Sequence, residues 1–299
     1  MTEQTAASPH RLSIIGDRIN PGFKSTRALL EANDMAGLQA LAIRQVEAGA
    51  IALDFTLGPR GRADPRFLVE AIAAVQAAVD APLCFDYPDA AVQEDCLKAY
   101  DAGRARGRKP IINSLAETRW EMTQLLRIRP CRVMLMASER LENGAGKPNR
   151  TASEIAATAK RAALRLVREH GLALEDVIID VSVSALIADT VGLNRAALEA
   201  IRSIGSDPDL NGVHISGGIT NLGQQLPAKA ADGSDLKRQL ERAFVTLAAP
   251  LGLDTLLATP WHLYQPLPEG NFVLEQFKRI LQLSGTDVMR QLRKLYRPG

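Results

Sequence analysis

The sequence predicts a (β/α)8 barrel. Eight short apolar runs recur along its 299 residues, and amphipathic helical segments separate them. No Pro/Gly/Ser-rich linker or composition shift divides the chain, so a single domain is expected.

The runs are LSIIGD (12–17), AIALDFTLG (50–58), APLCFDY (81–87), PIINSLA (110–116), CRVMLMAS (131–138), VIIDVSV (177–183), GVHISGG (212–218) and TLLATP (255–260). They are nearly continuous in Ile, Leu, Val and Ala, as strands buried on both faces of a parallel sheet must be. Helical periodicity fills the gaps at 25–34, 36–49, 65–79, 89–103, 118–128, 151–171, 193–205, 235–252 and 270–283. Thr151 followed by Glu154 forms a capping box, and Gly171, Gly205 and Gly252 stand where glycines that end helices belong. A doubly wound open sheet is the alternative, but it calls for a Gly-rich turn after its first strand, and GDRINPGF (16–23) is not G-x-G-x-x-G. The barrel is expected over residues 12–285. A disordered tail (1–11) precedes it, and a basic helical tail (286–299) with Arg290, Arg293, Lys294 and Arg297 follows.

Composition narrows the function classes. A net charge of +2 gives no basic field for nucleic acid. No window reaches 18 consecutive apolar residues, and MTEQTAASPHR carries no apolar signal core, so neither a membrane span nor secretion is expected. Cys84, Cys96 and Cys131 are scattered, which fits neither a disulfide framework nor a zinc site and points to a reducing, cytoplasmic setting.

Barrel enzymes work at the C-terminal ends of their strands. The polar residues there are Asp17, Asn20, Asp54, Asp86, Asn113, Ser138, Glu139, Asp180, Ser216 and Asn221. Asp86, Asn113 and Asp180 follow directly on apolar pairs, where a polar group is costly unless a partner or ligand satisfies it. No His pair or Cys cluster suggests a metal, and His214 reads as a satisfied core histidine. No strand-end lysine suggests a Schiff base, and no G-x-S-x-G suggests a serine hydrolase. A carboxylate–amide–carboxylate set remains, suited to a planar heterocycle rich in N–H donors, such as a pterin.

Several of these segments resemble the pterin-binding methyltransferases that act on methyltetrahydrofolate and a corrinoid protein. GDRINPGF is similar to their GERIN opening. EAGAIALDFTLGP, with Phe55 and Thr56 inside it, resembles GA-x-x-LD-x-N-x-G. CFDYPD, IINSLAE and DVIIDVSV resemble three further strands. LKRQLERAFVTLAAPLGLDTLLATP resembles R-x-x-L-N-R-x-F followed by GLDAAI. The resemblance covers about residues 12–260 and implies the barrel, with tetrahydrofolate as substrate and cobalamin as methyl carrier. It implies that Asp180 takes the 2-amino/N3–H pair of the pterin while Asp86 and Asn113 hold the other ring. Asn20 and Asp54 match rim positions, and Arg60 and Arg62 are candidates for the folate glutamate tail.

In that family an asparagine in G-x-S-N on the seventh strand donates toward N5. Here Ser216 is present, Gly217 replaces the asparagine, and Asn221 is the nearest amide. Ser216 and Asn221 are therefore the catalytic candidates. Methylation of N5, where N5 is the nucleophile, needs such a donor least. The residues after 260 are too few for a B12 domain, so the corrinoid is expected on a separate corrinoid-binding protein. The resemblance also implies a homodimer, and no metal is expected on this chain. Three alternatives stay open. One is a dihydropteroate synthase-like enzyme, although LGPRGRADP (57–65) departs from the synthase loop. The others are a phosphate-binding barrel using Ser216–Gly218 and a non-catalytic pterin-binding protein.

Overall fold

Eight parallel strands close on themselves in the computed structural model, which describes residues 12–297. The barrel strands are β1 (Ser13–Ile19), β2 (Ala50–Phe55), β3 (Leu83–Asp86), β4 (Ile111–Leu115) and β5 (Arg132–Met136). A hairpin of β6 (Glu139–Glu142) and β7 (Ala145–Pro148) intervenes, and β8 (Val177–Asp180), β9 (His214–Gly217) and β10 (Thr255–Ala258) complete the ring. The order around it is β1-β10-β9-β8-β5-β4-β3-β2, so each of the eight expected strands is present and parallel to its neighbours. The expected tail at residues 1–11 lies outside the described residues.

The helices are α1 (Lys24–Glu31), α2 (Met35–Glu47), α3 (Pro59–Ala63), α4 (Pro65–Ala78), α5 (Ala90–Ala99), α6 (Ala152–His170), α7 (Leu193–Gly205), α8 (Leu236–Ala248), α9 (Phe272–Leu281) and α10 (Thr286–Lys294). Side chains set many of their starts: Asp34, Asp64, Asp89, Asp235 and Asn271 each accept a backbone N–H from the first turn. Thr151 and Glu154 cap α6 reciprocally, and Gly171 closes it in the left-handed region at φ +67°. Helix α10 buries Val288 and Leu292, and the Leu295 carbonyl accepts the Ala231 N–H at 2.7 Å.

Three local expectations are corrected. Residues 117–127 form 3₁₀ turns with a kink at Arg119, not an amphipathic α-helix. Thr118 bonds to Glu139, Arg119 to Ser114, and Arg161 grips Glu117 at 2.7 and 2.8 Å, so tertiary contacts override the helical period. The Gly-, Asn- and Lys-rich segment ASERLENGAGKPNRTAS (137–153), which the sequence presents as a long connecting loop, contains the hairpin over residues 139–148. Asn143 (φ +53°) and Gly144 (φ +78°) turn it between the paired Glu142 and Ala145. Gly205 is the last residue of α7 and has ordinary helical geometry. Its need for glycine is spatial, because a Cβ there would lie 2.7 Å from the Leu251 carbonyl oxygen.

The core has two parts. The larger one lies between the sheet and the helices. The smaller one fills the barrel with one residue from each of seven strands: Ile15, Ala52, Cys84, Ile111, Met134, Ile178 and Leu257. Layers of this kind make a barrel interior solid rather than a channel.

Gly205→Ala should destabilise the chain by roughly 1–3 kcal/mol through overpacking, although alanine is the better helix former. Urea unfolding monitored by circular dichroism checks this; an unchanged or raised midpoint would show that the α7–Leu251 contact yields freely.

Candidate active site

Side chains two residues apart on a strand share a face. Two residues beyond the apolar plug, the same inward face carries Asp17 on β1, Asp54 on β2, Asp86 on β3, Asn113 on β4 and Asp180 on β8. Met136 is the apolar member on β5, and Thr259 follows β10. Register sets Ser216 beside Asp180 on one side and Thr255 on the other. A ring of carboxylates and amides therefore lies directly on a hydrocarbon floor at the C-terminal end of the barrel. All of these polar residues are buried except Asp86, which is partly buried.

Neighbour contacts hold the ring. Thr259 Oγ1 donates to Asp17 Oδ1 at 3.0 Å, and Asn113 Nδ2 lies 3.4 Å from Asp54 Oδ1. Asp86 pairs with Asn113 in register. The fully buried Gln93 of α5 ties their strand ends together, its amide donating to the carbonyls of Phe85, Tyr87 and Asn113 at 2.8–3.0 Å. The Ser182 N–H donates to Asp180 Oδ1 at 2.6 Å, with Ser182 at φ +57°. The Asp86 carboxylate and the second oxygen of Asp180 receive no hydrogen bond from the described residues. The buried Ser216 Oγ has no protein partner. Unshared acceptors at such depth mark a place for a donor-bearing ligand.

Burial sets the electrostatics. Desolvation pushes Asp180 up to about 6, opposed by the Ser182 N–H. It also pushes Asp17 up to about 6, opposed by Thr259 and by Arg18. Asp54 is raised well above the ordinary carboxylate range, by burial first and by the Asp86 charge second. Asp86 is raised by burial and held back by Arg119.

The remaining candidates fall around this ring. Asn20 turns back on itself, its Oδ1 accepting the Gly22 N–H at 2.8 Å. Asn221 lies in a short turn after β9 and its Oδ1 accepts from Gln224 at 2.6 Å. Arg60 bonds to the Leu30 carbonyl and to Asn33 Oδ1 and lies 3.4 Å over the Phe67 ring. Arg62 is largely exposed and pairs with Asp89 at 2.8 Å. His214 sits at the other end of β9, where its Nδ1 meets Asp254 Oδ2 at 2.8 Å. Val183 fills the face of Gly217: a Cβ there would lie 2.8 Å from Val183 Cγ2. A phosphate therefore has no bare backbone to approach at Gly217.

Residue-type reasoning undervalued Asp17 and omitted Thr259, Gln93 and Arg119. For the first two the signal was present, because each stands two places after an interior apolar residue, Ile15 and Leu257. Beside the ring, a cavity of about 750 Å³ opens between the β6–β7 hairpin and the loop after β8, with Val181, Ser182, Lys147 and Arg150 among its walls. It adjoins Asp180 rather than covering the ring. Among the described residues, no group of three or more His, Cys, Asp or Glu is placed to hold a metal, and no helix is long and apolar enough to cross a membrane.

Asp180→Asn tests the electrostatic reading in the ligand-free protein. A carboxyl raised from 3.8 to about 6 stabilises the fold below pH 4 and loses that contribution as pH rises through 6. The variant should thus gain on the order of 2 kcal/mol over the parent at pH 7.5 and nothing at pH 4. Parallel thermal melts across that range measure the difference; a constant offset would contradict it.

Comparison with known proteins agrees with this geometry. The pterin binding enzyme family matches residues 19–257. A methylcorrinoid:tetrahydrofolate methyltransferase of Eubacterium limosum is 27% identical over 260 residues, covering 83% of this chain and 84% of its own. Among solved structures, dihydropteroate synthase from Thermus thermophilus in complex with 6HMPPP superposes with a TM-score of 0.57 at 17% identity, covering 86% of this chain and 91% of that one. The synthase from Xanthomonas albilineans in complex with 7,8-dihydropteroate gives 0.54 at 18%, covering 91% and 95%. At such identities the two synthases establish the fold alone. With four-fifths of its length matched and a carboxylate–amide ring at the strand ends, the chain belongs to the pterin-binding enzyme family.

Proposed function

We propose that the chain is a methyltransferase that moves a methyl group between cobalamin on a separate corrinoid-binding protein and N5 of tetrahydrofolate. The observation that carries this reading is the buried ring with unshared acceptors. Its floor is apolar, as a fused ring system requires, and its rim is acceptor-rich. The free oxygen of Asp180 and the unpaired Asp86 carboxylate suit the 2-amino and ring N–H groups of a pterin, and Asn113 supplies an amide between them. Asp54 supports Asn113, and Asn20 shapes the entry turn. Arg62, whose exposed ion pair is weak, is better placed than Arg60 to exchange its partner for a folate carboxylate. A homodimer working in the cytoplasm is the expected setting. The relative from Eubacterium limosum supports the choice of reaction within the family.

Methyl transfer asks for positioning and for control of charge at N5. Ser216 Oγ is an unpartnered hydroxyl on the strand beside Asp180, and Asn221 is the amide of the adjoining turn; these two would orient N5. A dihydropteroate synthase would use the same ring but would join a pterin to an aryl amine, and product analysis separates the two reactions.

Calorimetric titration with tetrahydrofolate, followed by a methylcobalamin transfer assay, tests the reading. The parent should bind and exchange methyl, and Asp180→Asn should lose at least tenfold in affinity while folding normally. Absence of methyl exchange in either direction would sink it.

Gly217→Asn alone should cost roughly 1–3 kcal/mol through its clash with Val183. Paired with Val183→Ala it should regain stability and improve methyltetrahydrofolate as donor. Unchanged donor use by the double variant would count against placing Gly217 near N5.

A further inference from the structure

Behind Asp17, and outside the pterin ring, lies a second group of ionisable side chains. Glu241 of α8 is buried, with 6% of its surface exposed. Its Oε2 meets His262 Nδ1 at 3.2 Å. Tyr264, also buried, donates its hydroxyl to the Thr259 carbonyl at 3.1 Å, and the Thr259 hydroxyl in turn donates to Asp17. One residue, Thr259, thus joins the ring to this outer group. Glu241, His262 and Tyr264 line a cavity of about 310 Å³ with Arg238, Arg242 and Trp261, and the His262 side chain is 23% exposed there. Nothing in the pterin-binding role calls for a buried carboxylate at Glu241, and the related motif carries asparagine at that place.

Asp17 uses one oxygen to accept from Thr259, and its second oxygen takes no hydrogen bond from the described residues. The charged groups facing it are Arg18 from its own strand, Asp54 from β2, Glu241 from α8 and His262 from the loop after β10. We infer that Asp17 is the base that accepts the proton N5 of tetrahydrofolate must lose on methylation, with Glu241 and His262 as the charged pair behind it.

This rests on the proposed reaction and deepens it. In that step the N5 lone pair forms the N–C bond, and the cobalt–carbon bond breaks with both electrons left on cobalt. The N5–H proton goes to the free oxygen of Asp17. The same carboxyl, protonated, returns the proton to N5 in the reverse direction. Burial places Asp17 at about 6, so it is ionised at neutral pH and poised for methylation. Loss of the amide at Gly217 and gain of this acceptor pair bias the site the same way.

The test measures methylation of tetrahydrofolate by methylcobalamin from pH 5 to 9 in the parent, Asp17→Asn and Glu241→Gln, with tetrahydrofolate affinity measured alongside. The parent kcat should rise through a limb near pH 6. Asp17→Asn should lose that limb and about a hundredfold or more in kcat, with affinity changed less than threefold. Glu241→Gln should fold, keep most activity and shift the limb. An unaltered pH profile in both variants, beside an active parent, overturns the proton assignment alone. A parent that binds no tetrahydrofolate and transfers no methyl at any pH overturns the proposed reaction and this inference together.

Discussion

The structure depends on one constraint, the strand parity that places carboxylates on top of a hydrocarbon plug. Ile15, Ala52, Cys84, Ile111 and Ile178 fill the barrel, so the residues two places on point inward above them. In five strands that residue is Asp or Asn. Close packing below shuts water out from their lower side, and burial raises the carboxyls at Asp17, Asp54, Asp86 and Asp180. A protein optimised for stability would place apolar residues there. This one carries a desolvation penalty that a donor-rich ligand can relieve, which is the usual relation between stability and a preorganised site.

The scaffold around the ring holds it in place. Gln93 binds three strand-end carbonyls from the helix side, so β3 and β4 deliver Asp86 and Asn113 as a unit. On the opposite wall the Arg18 guanidinium lies 3.7 Å over Phe23 and 5.4 Å from the Trp261 ring, and Arg44 covers Trp261 at 3.9 Å. That packing gives Trp261 a role and fixes a positive charge next to Asp17. The β6–β7 hairpin is joined to the 3₁₀ turns before β5 through Thr118–Glu139 and the Leu141 N–H to Glu117, and Arg161 of α6 grips the same Glu117; together these segments shape the cavity beside Asp180.

Much of this was legible in the sequence because it depends on short-range patterns. Apolar runs of six to nine residues mark all eight barrel strands, and Asp86, Asn113 and Asp180 announce themselves by following apolar pairs. The hairpin was also signalled: Asn143-Gly144 is the dipeptide that favours a left-handed two-residue turn, though the polar stretch around it reads as a loop. What stayed hidden arises from contacts remote in sequence. Gly217 looks like bare backbone until Val183 is placed against it. Glu241 looks like an ordinary polar position on an amphipathic helix until the fold buries it beside His262. Asp17 meets Thr259 across 242 residues, a separation that no local pattern encodes.

The central claim is that the ring is a pterin site whose buried carboxyls are ionised by the ligand's N–H donors. Counting protons on binding measures this directly, through calorimetry of tetrahydrofolate binding in two buffers of different ionisation enthalpy. Asp180 at about 6 is half protonated at pH 6, and hydrogen bonds to its anion lower that value. The account therefore predicts net proton release near pH 6 that fades by pH 8, with affinity rising over the same interval. Binding without linked proton release, or binding that weakens as pH rises from 6 to 8, would contradict it.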